Sequence, residues 1–262
     1  MTRWSILFTV IMLYSAFAHA SNAAREQEYA ALIENTLTRG EVVWLQAQQR
    51  PFLAIHTESV DIDTRGAAII LHDRAAYPDQ QVVVHALRTI LPEHRWSTLA
   101  LQMPIREMGA SAQDYYPLFP EAKARIEAAV DFLDKTEVGN IVVVGYGMGA
   151  LMGLYSIDKN LDNTLGGLVT ISLPVSEGTD RRPQFLARLA KIRLPLLDIY
   201  AEHDLPAVVN GARKRQLAAN KNPAYRQDEI SATDHLYRHN EALLVKRVYS
   251  WLSRLMQQQD GG

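Results

Sequence analysis

Short apolar runs alternate along the chain with segments in which apolar residues recur every three or four positions. The runs predict buried strands and the spaced segments predict amphipathic helices. Strands alternating with helices indicate an α/β domain whose mainly parallel sheet carries helices on both faces, entered through an antiparallel hairpin. The predicted strands are Val42–Gln46, Phe52–His56, Ala67–His72, Thr98–Gln102, Asn140–Val144, Leu168–Ser172, Leu196–Tyr200 and Tyr225–Ile230. The predicted helices include Ala23–Thr38, Val82–Leu91, Ala122–Lys135, Ala150–Ile157 and Asn240–Met256.

The first twenty residues have the pattern of an export signal. Arg3 precedes an apolar run from Trp4 to Phe17, and Ala18-His19-Ala20 fits the small-x-small cleavage pattern. The run is shorter than the roughly 20 apolar residues that a spanning helix needs. We therefore expect cleavage after Ala20, a single domain over residues 21–262 without a membrane span, and a bacterial periplasmic or secreted location. An uncleaved N-terminal anchor is the alternative.

Composition excludes several classes of function. Hydrophobic residues make up 48% of the 262 and charged residues 21%, which are the proportions of a globular protein. Lys and Arg number 27 against 29 Asp and Glu, so no global field attracts nucleic acid. The absence of cysteine excludes disulfides, a cysteine nucleophile and thiolate metal sites. The histidines lack metal-binding spacing, so neither a metal nor a cofactor is expected.

The segment Ile141–Ala150 is the most informative motif. It reads as a strand, a tight glycine turn and a helix, which is the order of the G-x-S-x-G nucleophile elbow of α/β-hydrolases. Gly147 stands at the apex, where that pattern requires serine. A generic turn of a doubly wound fold is one alternative, and a phosphate-binding turn is another. The spacing, however, differs from the dinucleotide pattern G-x-G-x-x-G.

Two downstream residues strengthen the hydrolase interpretation. Asp204 follows the strand Leu196–Tyr200 and His235 follows Tyr225–Ile230, in the chain order nucleophile, acid, histidine. Individually, Asp204 could cap the next helix and His235 could be a surface loop histidine. Together with Gly147 they form a predicted triad-like set that lacks its nucleophile.

Residues next to the predicted apex are candidates for ligand contact. Tyr146 and Met148 flank Gly147, and His72 ends a neighbouring predicted strand. Asp73 follows His72, where hydrolases often supply oxyanion donors, and a carboxylate is a poor neighbour for a developing oxyanion. We interpret Asp73 as an ordinary loop acid paired with Arg74.

Basic residues are frequent in the last third of the chain. They predict either a positive rim for an anionic ligand or a solvated helix face. The solvated face is favoured, because most Lys and Arg side chains in proteins are exposed to solvent. The residues are Arg181, Arg182, Arg188, Lys191, Arg193, Arg213, Lys214, Arg215 and Lys221.

Several segments resemble a bacterial group of exported α/β-hydrolase-like proteins described as a domain of unknown function. The resemblance is carried by Ile69-Ile70-Leu71-His72, Tyr77-Pro78-Asp79, Leu87-Arg88, Trp96 to Pro104, the helix from Glu121-Ala122 to Phe132-Leu133 and the glycine turn at Gly145 to Ala150. It extends over nearly the whole chain after residue 20. It implies the α/β-hydrolase fold and a glycine at the apex as a trait of the group, and it implies no particular reaction.

The function expected from these observations is non-catalytic. An exported protein would bind a small molecule or an envelope protein in the cleft over Gly147, Asp204 and His235, without nucleic acid as a partner. The alternative is an esterase- or lipase-like hydrolase in which His235 activates water, or in which an atypical nucleophile replaces serine.

Overall fold

The computed structural model describes residues 21–136, 138–175 and 184–260, so the predicted signal segment lies outside the described residues. Eight strands in this part of the chain form one sheet. Their bounds are β1 (Glu41–Ala47), β2 (Arg50–Thr57), β3 (Gly66–Leu71), β4 (Trp96–Leu101), β5 (Ile141–Tyr146), β6 (Gly167–Ile171), β7 (Leu196–His203) and β8 (Tyr225–Asp234).

The sheet is parallel except at one edge. Its strand order is β1-β2-β4-β3-β5-β6-β7-β8. The β1–β2 hairpin is antiparallel and β2 also pairs antiparallel with β4, whereas β3 to β8 run parallel to one another. The carboxyl ends of six strands therefore meet at a single edge, where ligand sites of open α/β sheets form.

Helices cover both faces of this sheet. Their bounds are α1 (Ala23–Thr36), α2 (Val83–Ile90), α3 (Phe119–Asp134), α4 (Met148–Ser156), α5 (Lys159–Thr164), α6 (Phe185–Leu189), α7 (Pro206–Val209), α8 (Ala212–Ala218) and α9 (Glu241–Asp260), with short 3₁₀ helices at Leu91–His94 and Ala112–Leu118. One apolar cluster lies between the sheet and α3 and α4, and a second lies between the opposite face and α2 and α9. The central strands β3 to β6 are buried along their whole length, which explains why they are continuous apolar runs rather than alternating patterns.

The predicted architecture is confirmed, including the hairpin that precedes the parallel strands. No helix in the described part of the chain is both long and apolar enough to cross a lipid bilayer.

One of the basic residues grouped above belongs to the core instead of a surface. Arg215 is fully buried on α8 and donates to Asp198 Oδ2 at 2.8 Å and to the backbone carbonyls of Leu173 and Val208. For Arg215, both the predicted positive rim and the predicted solvated face are wrong, because Asp198 neutralises its charge inside the protein. Arg181 and Arg182 lie outside the described residues.

Candidate functional site

The turn between β5 and α4 has the backbone of a nucleophile elbow. Gly147 has φ +54° and ψ −113°, a left-handed conformation that favours glycine. Gly149, in the first turn of α4, lies so close to the end of β3 that a Cβ there would be 2.4 Å from the Leu71 carbonyl oxygen. The strand, the turn and the helix therefore pack as tightly as the glycine spacing predicts.

Asp204 and His235 form an ion pair beside this turn, in which Asp204 is buried and His235 is half-buried. Asp204 directly follows β7 and His235 directly follows β8. His235 Nδ1 donates to Asp204 Oδ1 at 2.7 Å, and the Ser172 hydroxyl donates to the other carboxylate oxygen. Ser172 in turn hydrogen-bonds the Tyr237 hydroxyl at 2.9 Å. The sequence did not predict that Ser172 and Tyr237 would hold the acid.

Asp73 joins the elbow to the histidine. Its Oδ1 accepts from the backbone N–H of Met148 at 2.6 Å and from that of Arg74 at 2.7 Å, while its Oδ2 lies 3.2 Å from His235 Nε2. A Cβ built on Gly147 would be 2.3 Å from the Asp73 carboxylate. The interpretation of Asp73 as a loop acid paired with Arg74 is therefore wrong: the contact to Arg74 is to its backbone, and the carboxylate faces the elbow.

The loop that carries Asp73 is held from several sides. His72 donates through Nδ1 to the Asp73 carbonyl at 2.7 Å and accepts through Nε2 from the Met103 N–H at 2.9 Å. Burial lowers the pKa of His72 to about 4, so this histidine is neutral, as both hydrogen bonds require. Further along the loop, the Ala75 N–H donates to the Tyr115 hydroxyl at 2.9 Å. These contacts fix the position of the Asp73 carboxylate.

The charges at the site neutralise one another only in part. Burial would lower the pKa of His235, but its hydrogen bonds to Asp204 and Asp73 and their charges raise it to about 9. Burial would raise the pKa of Asp204, and the hydrogen bonds from His235 and Ser172 bring it below its ordinary value. At neutral pH the imidazole of His235 is therefore protonated, and its two ring nitrogens face Asp204 and Asp73.

The three candidates for ligand contact are buried beside this ion cluster. Tyr146 is 2% exposed and donates its hydroxyl to the His235 carbonyl at 2.8 Å. Met148 and His72 are 3% and 1% exposed. A ligand above the elbow would reach little of their side-chain surface, so their contact with a ligand stays a prediction.

The arrangement differs from a working serine hydrolase at three points that share one cause. In such enzymes a neutral histidine Nε2 faces the serine, and the N–H that follows the apex binds the oxyanion. Here Asp73 occupies the Nε2 of His235, the N–H of Met148 and the space in which a serine Cβ at position 147 would lie. Among the described residues, no group of three or more His, Asp or Glu side chains is arranged to hold a metal ion.

The sheet order and the placement of the elbow after β5, the acid after β7 and the histidine after β8 define the α/β-hydrolase fold. Within that class, the family described as Protein of unknown function (DUF3530) matches residues 15–124 and 119–254, and the chain belongs to this family. No curated protein sequence matches the chain significantly.

Solved structures with this fold include esterases. Est1E from Butyrivibrio proteoclasticus is 14% identical, with a TM-score of 0.66 over 83% of this chain and 99% of the other. The Pyrococcus furiosus esterase Pf2001 is 14% identical, with a TM-score of 0.67 over 86% and 96%. An alpha-beta serine hydrolase homologue from Coxiella burnetii is also 14% identical, with a TM-score of 0.64 over 82% and 98%. At these identities the likeness shows the fold alone.

Proposed function

We propose that this protein is a non-catalytic member of the α/β-hydrolase fold, exported to the bacterial cell envelope, where it binds a small molecule or another envelope protein. The observation that carries the proposal is the position of the Asp73 carboxylate. It accepts from the Met148 N–H as an oxyanion would, and it also faces His235 Nε2.

The energetic argument against acyl transfer has two parts. Loss of the serine of a triad costs on the order of a million-fold in turnover. Occupation of an oxyanion donor costs roughly a further 10²–10³. Asp73 is a poor nucleophile in its own right, because Oδ1 accepts two backbone N–H groups and Oδ2 faces the histidine.

The alternative is a hydrolase in which His235 activates water, and the Asp204–His235 pair is the feature that favours it. That mechanism needs a neutral imidazole with a free Nε2. With a pKa of about 9, only about 1% of His235 is neutral at pH 7, and its Nε2 faces Asp73. If this alternative were correct, hydrolysis of an activated ester would rise with pH toward about 9 and would disappear in His235→Ala.

The proposal predicts how a nucleophile can be restored. The unmodified protein should not react with a fluorophosphonate probe, which requires an activated serine. Gly147→Ser alone should label weakly or not at all, because the new Cβ would lie 2.3 Å from the Asp73 carboxylate and Asp73 would still compete for His235. The double variant Gly147→Ser with Asp73→Gly frees the histidine and the Met148 N–H, and it should label at least tenfold faster than Gly147→Ser alone.

Controls make this experiment decisive. Asp73→Gly without the serine should not label, and His235→Ala in the double variant should abolish the gain. Melting temperatures identify any variant that fails to fold. Labelling of the unmodified protein, or His235-dependent ester hydrolysis by it, would contradict the non-catalytic assignment. A folded double variant that never labels would show that Asp73 is not what keeps the site inactive.

A further inference from the structure

A cavity of about 410 Å³ lies away from the elbow, lined by residues of α1, of the β1–β2 hairpin, by Gln102 and by Arg125 on α3. Its volume falls within the 300–1,000 Å³ typical of small-molecule sites. The residues of the elbow and its ion cluster do not line it. Nothing in the triad-like set therefore explains this cavity.

The cavity opens at the carboxyl edge of the sheet. Gln102 directly follows β4, and its backbone N–H donates to the Leu53 carbonyl at 2.9 Å. Because β2 runs antiparallel to β4, the first residues of β2 lie at the edge where the parallel strands end. Ligands of α/β sheets bind at that edge.

The wall of the cavity is largely apolar. Ala30, Phe52 and Leu53 contribute buried surface to it, and Trp44 adds an indole that is 48% exposed. An indole exposed to this extent beside buried apolar residues provides contact area for an apolar ligand without further rearrangement.

The charges around the cavity leave one cation without a partner. Arg125 donates to Glu26 at 2.8 Å and also pairs with Glu121, which does not line the cavity. The second lining cation, Arg50, is exposed at the start of β2 and makes no ion pair within the described part of the chain. Arg125 is thus already paired with two carboxylates, and among the described lining residues Arg50 is the cation left for a ligand.

We propose that this cavity binds a single-chain amphiphile with an anionic head group. The alkyl chain packs against the exposed surface of Trp44, Ala23 and Pro51, and the head group pairs with Arg50. The inference does not depend on the role of Asp73, because the elbow contributes no residue to the cavity. It gives the proposed binding protein a ligand class and a location.

The test is isothermal titration calorimetry of the protein expressed from its full coding sequence and purified. The probes are dodecanoate and dodecyltrimethylammonium, both below their critical micelle concentrations. Dodecanoate should bind with one-to-one stoichiometry and more tightly than the cationic probe. Arg50→Gln should weaken dodecanoate binding by about fivefold, the upper range for an exposed ion pair. The same variant should bind the cationic probe at least as tightly as the unmodified protein does.

Two variants that fill the cavity test the location. Ala30→Leu adds a side chain inside the wall, and Gln27→Trp adds one from an exposed lining position that folding does not constrain. Each should weaken dodecanoate binding at least tenfold. Arg254→Gln, which removes an exposed arginine from α9, is the matched control and should bind as the unmodified protein does.

Several outcomes would overturn the proposal. They are failure of the unmodified protein to bind dodecanoate, equal or tighter binding of the cationic probe, and undiminished binding in both filled variants when their melting temperatures are normal. If dodecanoate binds only to protein that begins at Ser21, and not to protein that retains residues 1–20, the N-terminal segment rather than a free amphiphile is the occupant. Fluorophosphonate labelling does not depend on this cavity, so failure here leaves the proposed non-catalytic role to its own test.

Discussion

Asp73 and Gly147 depend on each other for their positions. A side chain at position 147 would overlap the Asp73 carboxylate, and without that carboxylate the Met148 N–H would lose its acceptor. Because a buried donor left without its acceptor costs free energy, the Asp73 carboxylate stabilises the turn at Gly147. The absence of a serine at position 147 and the position of the Asp73 carboxylate at the elbow are therefore two parts of one structural feature.

The ionisation of His235 is the first property at the residue scale that can be measured. Its pKa of about 9 depends on carboxylates at both ring nitrogens. Asp73→Asn removes one negative charge and should lower the His235 pKa, as followed by NMR titration of its ring protons. Asp131→Asn, which removes an exposed carboxylate on α3, should leave the pKa unchanged. A His235 pKa that does not move in Asp73→Asn would show that Asp73 does not act on the imidazole.

The same shift makes folding stability depend on pH. The folded pKa of His235 is raised from 6.5 to about 9, so the stabilisation is complete below pH 6.5 and is lost as pH rises through about 9. The loss should be on the order of 3 kcal/mol in the free energy of unfolding. Chemical denaturation between pH 6 and pH 10 measures it. His235→Gln should lack this component, and an equal pH dependence in that variant would assign the loss to other groups.

At the scale of secondary structure, periodicity predicted the strands and most helices to within a few residues. Tyr225–Ile230 was predicted, for example, whereas β8 continues to Asp234. The short helix α5 and the 3₁₀ helices were missed, because segments of this length carry too few residues for a helical period.

The candidate site was predictable only where chain order determines it. Asp204 and His235 follow their strands in sequence, so their positions can be inferred from the order of elements. Asp73 reaches the elbow because β3 and β5 are neighbours, with Leu71 opposite Gly145. Strand pairing between segments 74 residues apart in sequence carries no local signal, so Asp73 was wrongly paired with the adjacent Arg74.

The elbow itself can be tested by substitution. Gly149→Val places a branched side chain where a Cβ would be 2.4 Å from the Leu71 carbonyl oxygen and 2.6 Å from that of His72. Because backbone cannot yield as a flexible side chain can, we expect a loss of more than about 2 kcal/mol in the free energy of unfolding. Gly139→Ala is the control, since a Cβ there meets no atom within 4 Å. Equal stability of Gly149→Val and the unmodified protein would rule out this close approach.

For the molecule as a whole, folding and chemistry are separable. The two apolar clusters on either side of the sheet involve residues from nearly every strand, and the ion cluster lies at one edge. Stability is therefore supplied mainly by buried apolar surface, to which the site contributes only Tyr146, Met148 and Tyr237. This explains how the hydrolase architecture persists around a glycine where the nucleophile would stand, and why composition and periodicity predicted the fold far better than the role.

Export is the prediction that concerns the whole chain. Two contacts of described residues tie the start of α1 to the domain: the Ser21 hydroxyl donates to Glu121 at 3.1 Å, and the Asn22 backbone N–H donates to the Ile105 carbonyl at 2.7 Å. Cleavage after Ala20 would leave both contacts in place. N-terminal sequencing and intact mass of protein from fractionated cells should therefore give a chain that begins at Ser21. Because signal cleavage requires small residues at positions 18 and 20, Ala20→Leu should block processing while Ala16→Leu, outside the motif, should not. Recovery of the unmodified chain with Met1 intact in the membrane fraction would establish an N-terminal anchor instead.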